Sequence, residues 1–144
     1  MSARLLIVDD EIEIREMLSR HFRLLGYEAH LAGDGQEAID VLNNKRIDII
    51  VSDIMMPVMD GVALLRAVRR QFPMTKVIMI TGYITLENAL ACMRNGAETC
   101  VFKPLSDLKE LDDAVNAAIV SLKRWQDKLL TLRGMKTMEG QPTA

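Results

Sequence analysis

Short apolar runs alternate with amphipathic segments five times along the chain. A short apolar run between polar turns predicts a β-strand, whereas apolar residues at intervals of three and four predict a helix. On this basis strands are predicted at residues 5–8, 27–32, 47–51, 77–80 and 99–102. Helices are predicted at residues 11–25, 62–72 and 85–95 and from about residue 107 onward. A further helix is predicted to begin after Asp34, which can cap it.

The alternation of strands and helices with short connections predicts one α/β domain. Parallel strands joined by helices form a doubly wound sheet with helices on both of its faces. The third predicted strand, residues 47–51, is continuous in apolar residues, which indicates burial on both faces, and the second is more polar, as an edge strand can be. In such sheets the functional residues lie at the carboxyl ends of the strands.

Composition and charge exclude several classes of function. The 144 residues suit a single domain, and 49% hydrophobic with 26% charged residues is ordinary for a globular protein. A net charge of −2 creates no field that would draw the chain to nucleic acid or to anionic lipid. The apolar run at residues 5–8 is too short for a signal peptide or membrane insertion. Cys92 and Cys100 lack metal-binding spacing and are interpreted as reduced thiols in a cytoplasmic protein.

Polar residues follow four of the five predicted strands. Asp9 and Asp10 come after the first strand, Asp53 after the third, Thr81 after the fourth and Lys103 after the fifth. Taken singly, each is more often a capping or surface group. Because the carboxyl ends of parallel strands meet at one edge of a sheet, we expect the carboxylates, the hydroxyl and the ammonium to converge there.

Carboxylates crowded in this way raise one another's pKa unless a cation compensates their charge. A hard divalent cation such as Mg²⁺ suits oxygen ligands, and it would also offset the charge of an incoming phosphoryl group. A lysine and a threonine can bind further phosphoryl oxygens. The set therefore predicts a site where one carboxylate is a nucleophile and the others hold a metal ion.

The segments around these residues strongly resemble the receiver domain of two-component response regulators. The matching segments are LLIVDDE with Asp9 and Asp10, VSDIMMPVMDG with Asp53, VIMITGY with Thr81, and FKPL with Lys103. The resemblance covers roughly residues 3–122, with the motifs in family order and at family-like spacing. It implies a flavodoxin-like sheet with the strand order 2-1-3-4-5, similar to chemotaxis-type receivers.

The resemblance also implies how a Mg²⁺ ion would be held. Asp53 would be the phosphoacceptor and a metal ligand. Asp10 would be a second direct ligand, and Asp9 would hold a metal-bound water. The backbone carbonyl of Met55 would complete the metal site.

The remaining roles concern the phosphoryl group. By the same resemblance, Lys103 would contact it and Thr81 would turn toward it as the switch hydroxyl, while the bond from Lys103 to Pro104 would be cis. Receivers usually carry Tyr or Phe three residues before the lysine, whose rotamer follows the threonine. Cys100 occupies that position here, and strand alternation points Phe102 away from Lys103, so the α4–β5–α5 surface is expected to respond differently.

A second departure concerns the lifetime of the phosphoryl group. Met55 and Tyr83 lie two residues beyond Asp53 and Thr81, at positions that tune hydrolysis in the family. Neither side chain is a carboxylate or an amide that could orient an attacking water. A comparatively long-lived aspartyl phosphate is therefore predicted.

The last predicted helix is longer than the domain needs. Its apolar stripe has spacings of three and four and consists of Leu108, Leu111, Val115, Ala118, Leu122, Trp125, Leu129 and Leu132. The first part of the stripe is enough to cover the sheet. Its continuation favours a coiled-coil homodimer seam or a signalling helix leading to an output module. The alternative is a helix folded back on its own domain, with Trp125 and Leu129 covering apolar surface.

Three parts of the chain are predicted. Residues 1–122 form the phosphoryl-receiver domain, residues 123–133 extend the last helix, and residues 134–144 form a polar, flexible tail. No room is expected after Leu132 for an enzymatic or DNA-binding domain. The chain is therefore interpreted as a stand-alone receiver or as one cut from a longer regulator.

The predicted function is a switching module of a bacterial signalling pathway rather than an enzyme. A sensor histidine kinase or a phosphotransfer protein would phosphorylate Asp53, and an unidentified output partner or a second copy would respond. Only self-phosphorylation from donors and slow self-dephosphorylation are expected. A phosphatase with an aspartate nucleophile is disfavoured because Met55 occupies the place of its second acid. A flavin carrier is disfavoured because Asp9, Asp10 and Glu11 would repel a phosphate.

Overall fold

The computed structural model of the chain describes residues 3–82 and 84–138. Strands and helices alternate strictly along it. In chain order they are β1 (Arg4–Val8), α1 (Ile12–Leu24), β2 (Glu28–Ala32), α2 (Gly35–Asn44), β3 (Ile49–Asp53), α3 (Gly61–Gln71), β4 (Lys76–Thr81), α4 (Leu86–Arg94), β5 (Thr99–Phe102) and α5 (Lys109–Met138). Every predicted strand and helix is present and lies in the predicted order.

The strands form one parallel sheet of five strands in the order β2-β1-β3-β4-β5. This confirms the doubly wound α/β fold and its strand order. The apolar run predicts β3 at residues 47–51, but the strand begins at Ile49 and ends at Asp53. It ends later because pairing with β4 continues until Asp53 lies beside Ile80. The Asp53 carboxylate is therefore carried by the last residue of a strand.

Successive side chains of the sheet enter two apolar layers, because neighbouring residues of a strand point to opposite faces. In β1, Leu6 and Val8 belong to the layer shared with α2, α3 and α4, whereas Leu5 and Ile7 belong to the layer shared with α1 and α5. All four side chains are fully buried. Helices thus cover both faces of the sheet, as parallel sheets require.

Capping residues fix where the helices begin. The Asp34 side chain accepts a hydrogen bond from the Glu37 N–H at 2.9 Å, as predicted. Asp60 and Thr85 cap α3 and α4 in the same way. After the C-terminal end of α1, Gly26 has a φ of +95°, a backbone conformation that favours glycine. The three capped N-termini follow strand ends, so these helices start at the edge of the sheet that carries the predicted site.

The last helix, α5, continues well past the domain. Its first part is buried against the sheet through Leu111, Val115 and Ala118. Trp125 and Leu129 lie further along the same stripe and are 57% and 49% exposed. The alternative in which these two side chains cover apolar surface of the domain is therefore wrong, because about half of each is exposed and α5 continues as one helix to Met138.

The end of α5 also differs from the predicted boundaries. The predicted extension ends at residue 133, but the helix reaches Met138 and includes the first five residues of the predicted flexible tail. Gly134 costs only about 1 kcal/mol within a helix, and neighbouring helix-forming residues outweigh that cost. The rest of the predicted tail, residues 139–144, lies outside the described residues. Among the described helices none is long and apolar enough to cross a membrane.

Candidate functional site

The residues predicted from the strand ends lie at the carboxyl edge of the sheet. Asp9 directly follows β1, Asp53 ends β3 and Thr81 ends β4, where it is buried. Lys103 follows β5, and its backbone N–H donates a hydrogen bond to the Thr81 carbonyl at 2.8 Å. The peptide bond between Lys103 and Pro104 is cis, as predicted. Parallel pairing of the strands thus brings these side chains to one place.

The Lys103 ammonium lies among three carboxylates. Its Nζ donates hydrogen bonds to Asp53 Oδ2 at 3.0 Å and to Glu11 Oε1 at 3.1 Å, and it lies 2.9 Å from Asp9 Oδ2. The other oxygen of Asp53, Oδ1, accepts a hydrogen bond from the Met55 N–H at 3.3 Å. Asp53 is only 5% exposed, so charges around it interact more strongly than they would in water.

Burial and charge act in opposite directions on the pKa values of Asp9 and Lys103. Burial raises the pKa of the Asp9 carboxyl, and this outweighs the lowering by Lys103 and by the Glu11 N–H. Burial alone would lower the pKa of Lys103. Its contacts with Asp9 and Asp53 outweigh burial and raise that pKa above the ordinary value for lysine. Lys103 therefore remains a cation at neutral pH.

The acidic residues at this edge fit a divalent metal ion. Ligand oxygens of Asp9, Asp10, Glu11 and Asp53 lie within 4.8 Å of one another. Lys103 approaches Asp9 Oδ2 without the direction of a hydrogen bond, so this buried oxygen has no hydrogen-bond partner among the described residues. Buried oxygens normally have a partner, and hard carboxylate oxygens are the ligands that Mg²⁺ prefers.

Two residues near the site make contacts that the sequence does not predict. Glu11 is expected from the sequence only as an acid that repels phosphate, but its side chain reaches Lys103. Arg15 Nη1 donates a hydrogen bond to the Asp9 carbonyl at 2.6 Å and so ties α1 to the end of β1. No sequence signal pointed to Arg15, because the contact depends on how α1 leaves the strand.

A match with a known protein family shows to which family the chain belongs. A model of the response regulator receiver domain matches residues 5–116, which is most of the chain. The chain belongs to the response regulator receiver domain family. Receiver domains are parts of two-component systems and work as signalling switches rather than as true enzymes.

Two curated relatives of this receiver domain are bacterial regulators of greater length. Regulatory protein AtoC of Escherichia coli (strain K12) is 41% identical over 116 residues, which make up 81% of this chain and 25% of AtoC. The DNA-binding transcriptional regulator NtrC of Klebsiella pneumoniae is 34% identical over 85% of this chain and 25% of NtrC. The chain thus spans about a quarter of the length of these two relatives.

Solved receiver structures share the same fold. The CheY-like receiver domain protein from Methanospirillum hungatei JF-1 has a TM-score of 0.82 and 28% identity, over 86% of this chain and 98% of that one. The response regulator TrrA from Thermotoga maritima, solved in complex with Mg²⁺-BeF, has a TM-score of 0.73 and 30% identity, over 81% of this chain and 98% of that one. The acidic pocket of this receiver domain is therefore of the kind that binds Mg²⁺ in the family.

The residue in the usual aromatic position of this receiver domain is a packed thiol. Cys100 lies beside Met79 of β4 and packs against the apolar layer that contains Cys92. Burial, followed by the nearby Cys92 thiol, raises the pKa of Cys100 to about 11. Phe102, by contrast, is 59% exposed. Cys100 is therefore an uncharged packing group, and an aromatic side chain is presented to solvent two residues further on.

The loop between β3 and α3 contains two further features of this receiver domain. Met55 is 51% exposed beside Asp53, and its side chain offers no acid or amide. Val58 is 84% exposed and has a φ of +68°, a conformation that a β-branched residue rarely adopts. Tyr83, the other residue predicted to tune hydrolysis, lies outside the described residues.

Proposed function

We propose that this receiver domain accepts a phosphoryl group on Asp53 from the phosphohistidine of a sensor histidine kinase or a phosphotransfer protein. The observation that supports this best is the setting of the Asp53 carboxylate. It is nearly buried, it lies 3.0 Å from the Lys103 ammonium, and it shares its pocket with the carboxylates of Asp9 and Asp10. Such a setting favours a carboxylate nucleophile supported by a lysine and a metal ion.

In the proposed transfer, a carboxylate oxygen of Asp53 forms a bond to phosphorus. The bond from phosphorus to the donor nitrogen breaks, and the imidazole leaves with that electron pair. Lys103 contacts a phosphoryl oxygen and balances part of its charge. Asp10, Asp53 and the Met55 carbonyl would hold Mg²⁺ directly and Asp9 through a bound water, and the ion would offset the charge of the transferring group.

The proposed switch follows from the new charge at Asp53. A phosphoryl group adds about −1.5 to −2 charges in a nearly buried place, so it needs new hydrogen-bond donors. We propose that the Thr81 hydroxyl and Lys103 supply them, and that the surface formed by α4, β5 and α5 changes in response. The usual aromatic residue is replaced by Cys100. An output partner would therefore recognise a change in side-chain packing and in the position of the exposed Phe102, rather than a change in an aromatic rotamer.

The main test is phosphorylation of the full chain. Incubation with a small phosphodonor and Mg²⁺ should add the mass of one phosphoryl group, and peptide mapping should locate it on Asp53. Chelation of the metal should reduce the rate by at least about 100-fold, because the charge of the transferring group would no longer be offset. No mass change in the presence of Mg²⁺ would refute the proposed function.

The phosphoryl group is expected to be long-lived, and Met55→Asn should shorten its half-life. An amide at this exposed position beside Asp53 can orient an attacking water, which the thioether of Met55 cannot. We expect a decrease of about tenfold, which is less than the 10²–10⁴-fold that a well-placed acid or base contributes. The measurement is the decay of the phosphorylated protein by intact mass after removal of the donor.

Val58→Asn is the matched control for this prediction. It places the same amide in the same loop, three residues further from Asp53, and asparagine tolerates the positive φ at that position. The half-life of the phosphoryl group should stay unchanged in this variant. An unchanged or longer half-life in Met55→Asn would contradict the prediction.

The exposed part of α5 is proposed to pair with the same helix of a second copy. With Leu122 and Leu129 at the a positions of a heptad, Trp125 falls at d and Lys128 at g. The stripe is buried up to Leu122 and exposed beyond it, so a seam would begin where contact with the domain ends. In a parallel pair, Lys128 would face Arg133 of the partner subunit, a like-charge contact that opposes pairing.

Substitutions along α5 should therefore change self-association in opposite directions. Leu129→Ser removes an apolar seam residue from both helices and should weaken the dimer at least about tenfold. Lys128→Glu replaces a repulsion with an attraction and should strengthen it about two- to fivefold, with the gain lost at high salt. The dissociation constant is measured by sedimentation, before and after phosphorylation.

Leu130→Ser controls for the loss of apolar surface. Leu130 is 63% exposed on α5 but falls at position b, outside the seam. Its substitution should leave the dissociation constant unchanged. Equal weakening by Leu130→Ser and Leu129→Ser, or a monomer at all concentrations, would contradict the proposed seam.

A further inference from the structure

Glu11 makes a contact that the proposed phosphoryl transfer does not use. It is the N-cap residue of α1, yet its side chain makes no capping hydrogen bond. Instead, Glu11 Oε1 accepts a hydrogen bond from Lys103 Nζ at 3.1 Å, across 92 residues of sequence. The Glu11 backbone is fixed as well, because its N–H donates to Asp9 Oδ1 at 2.8 Å. The Glu11 side chain therefore extends to Lys103 from a backbone that is held in place by a hydrogen bond.

The three carboxylates around Lys103 differ in how easily they can release it. Asp9 and Asp53 are buried, at 0% and 5% exposure, and their backbones belong to the ends of strands. The Glu11 side chain is 61% exposed, and it is longer and more flexible than the side chain of an aspartate. Exposed ion pairs are weak, since water competes for both partners. Of these three contacts, the one with Glu11 can be given up at the least cost.

A phosphoryl group on Asp53 would need a donor from Lys103. The ammonium donates hydrogen bonds to Asp53 and Glu11 and lies 2.9 Å from Asp9, so a phosphoryl oxygen that approaches it competes with three carboxylates for one cation. We propose that Glu11 is a positioning residue, which holds the Lys103 ammonium in the unphosphorylated protein and competes with the phosphoryl group for it. This inference rests on the proposed function of Asp53 and concerns the regulation of the same site.

Removal of this competition should make phosphorylation easier once metal binding is no longer limiting. Glu11→Gln keeps the size of the side chain but removes its charge. At saturating Mg²⁺, the variant should react with a small anionic phosphodonor about two- to fivefold faster, and it should bind beryllofluoride more tightly by a similar factor, as expected for loss of an exposed ion pair. Its affinity for Mg²⁺ alone should decrease, because one of four neighbouring carboxylates is gone.

Two matched variants distinguish the effect of losing the contact between Glu11 and Lys103 from the effect of losing one negative charge. Glu13→Gln removes the same charge from the first turn of α1, at an exposed residue that makes no ion pair with Lys103 among the described residues, and should behave like the unmutated protein. Glu11→Asp keeps the charge but shortens the side chain by one methylene, so it should lose the contact and resemble Glu11→Gln. Nuclear magnetic resonance of the Lys103 ammonium should change in both Glu11 variants.

The possible outcomes are distinct. If the unmutated protein takes up neither phosphoryl group nor beryllofluoride, the proposed function itself fails. If it does and Glu11→Gln reacts at the same rate or more slowly at saturating Mg²⁺, the positioning role is overturned. Equal acceleration by Glu11→Gln and Glu13→Gln, with Glu11→Asp unchanged, would also overturn it, since the effect would then come from net charge.

Discussion

Asp53→Asn should abolish phosphorylation of the chain and, without metal, raise its free energy of unfolding. The amide cannot act as the nucleophile, so no other residue should take up the phosphoryl group at a comparable rate. Asp53 also lies among the carboxylates of Asp9, Asp10 and Glu11, and the Lys103 ammonium balances part of their charge. Loss of one negative charge from this group reduces repulsion, and the asparagine oxygen can still accept a hydrogen bond from Lys103. We expect a gain of about 1 kcal/mol.

Mg²⁺ should reverse the order of stability of the two proteins. A ligand that binds only the folded state stabilises it in proportion to its affinity. Saturating Mg²⁺ should therefore stabilise the unmutated protein clearly and the Asp53→Asn variant much less. Urea unfolding with and without Mg²⁺ measures both effects. Asp40→Asn removes a charge from the exposed surface of α2 and should show neither effect.

The pH dependence of unfolding offers an independent check of the same repulsion. The pKa of Asp9 is raised in the folded protein, mainly by burial and in part by Asp53. Between the ordinary pKa and the raised one, the folded state binds more protons than the unfolded state. Stability contributed by this group is therefore lost as the pH rises through that window. In Asp53→Asn the loss should be smaller. Identical pH profiles would contradict a role for Asp53 in the Asp9 pKa.

The fold and most of the site could be predicted because both depend on simple periodic patterns. Apolar runs and amphipathic segments define the order of strands and helices, and parallel pairing then brings Asp9, Asp53, Thr81 and Lys103 together. Strand ends were harder to predict, because hydropathy cannot show that pairing continues through a polar residue such as Asp53. The roles assigned to the site residues stay predictions until they are tested chemically.

The contacts of Glu11 and Arg15 could not be predicted by pattern. Both depend on the angle at which α1 leaves β1, which no single-residue preference determines. The sequence also predicts too early an end for α5, because a glycine among polar residues is typical of a flexible tail, yet the helix continues through Gly134. Glycine weakens a helix without necessarily ending it, and its conformation there is set by the residues on both sides.

Gly61→Ala should destabilise the domain by about 3 kcal/mol or more and should slow phosphorylation. A Cβ atom at Gly61 would meet the backbone oxygen of Asp53, and it would lie 2.8 Å from Ile54 Cα and 2.7 Å from Met79 Cε. The methionine can move, but the backbone of Asp53 and Ile54 cannot without displacing the end of β3. Overpacking of this kind costs about 1–3 kcal/mol in ordinary cores, and more where backbone must shift. The measurements are urea unfolding and the phosphorylation rate under conditions where the variant is folded.

Gly134→Ala is the matched control, because a Cβ atom at Gly134 would meet nothing within 4 Å. In the exposed part of α5 the alanine should increase helicity slightly and leave the unfolding of the domain unchanged. The contrast tests the packing of Gly61 rather than the general effect of adding a methyl group. If Gly61→Ala were as stable as the unmutated protein, the close approach of α3 to the end of β3 would be wrong.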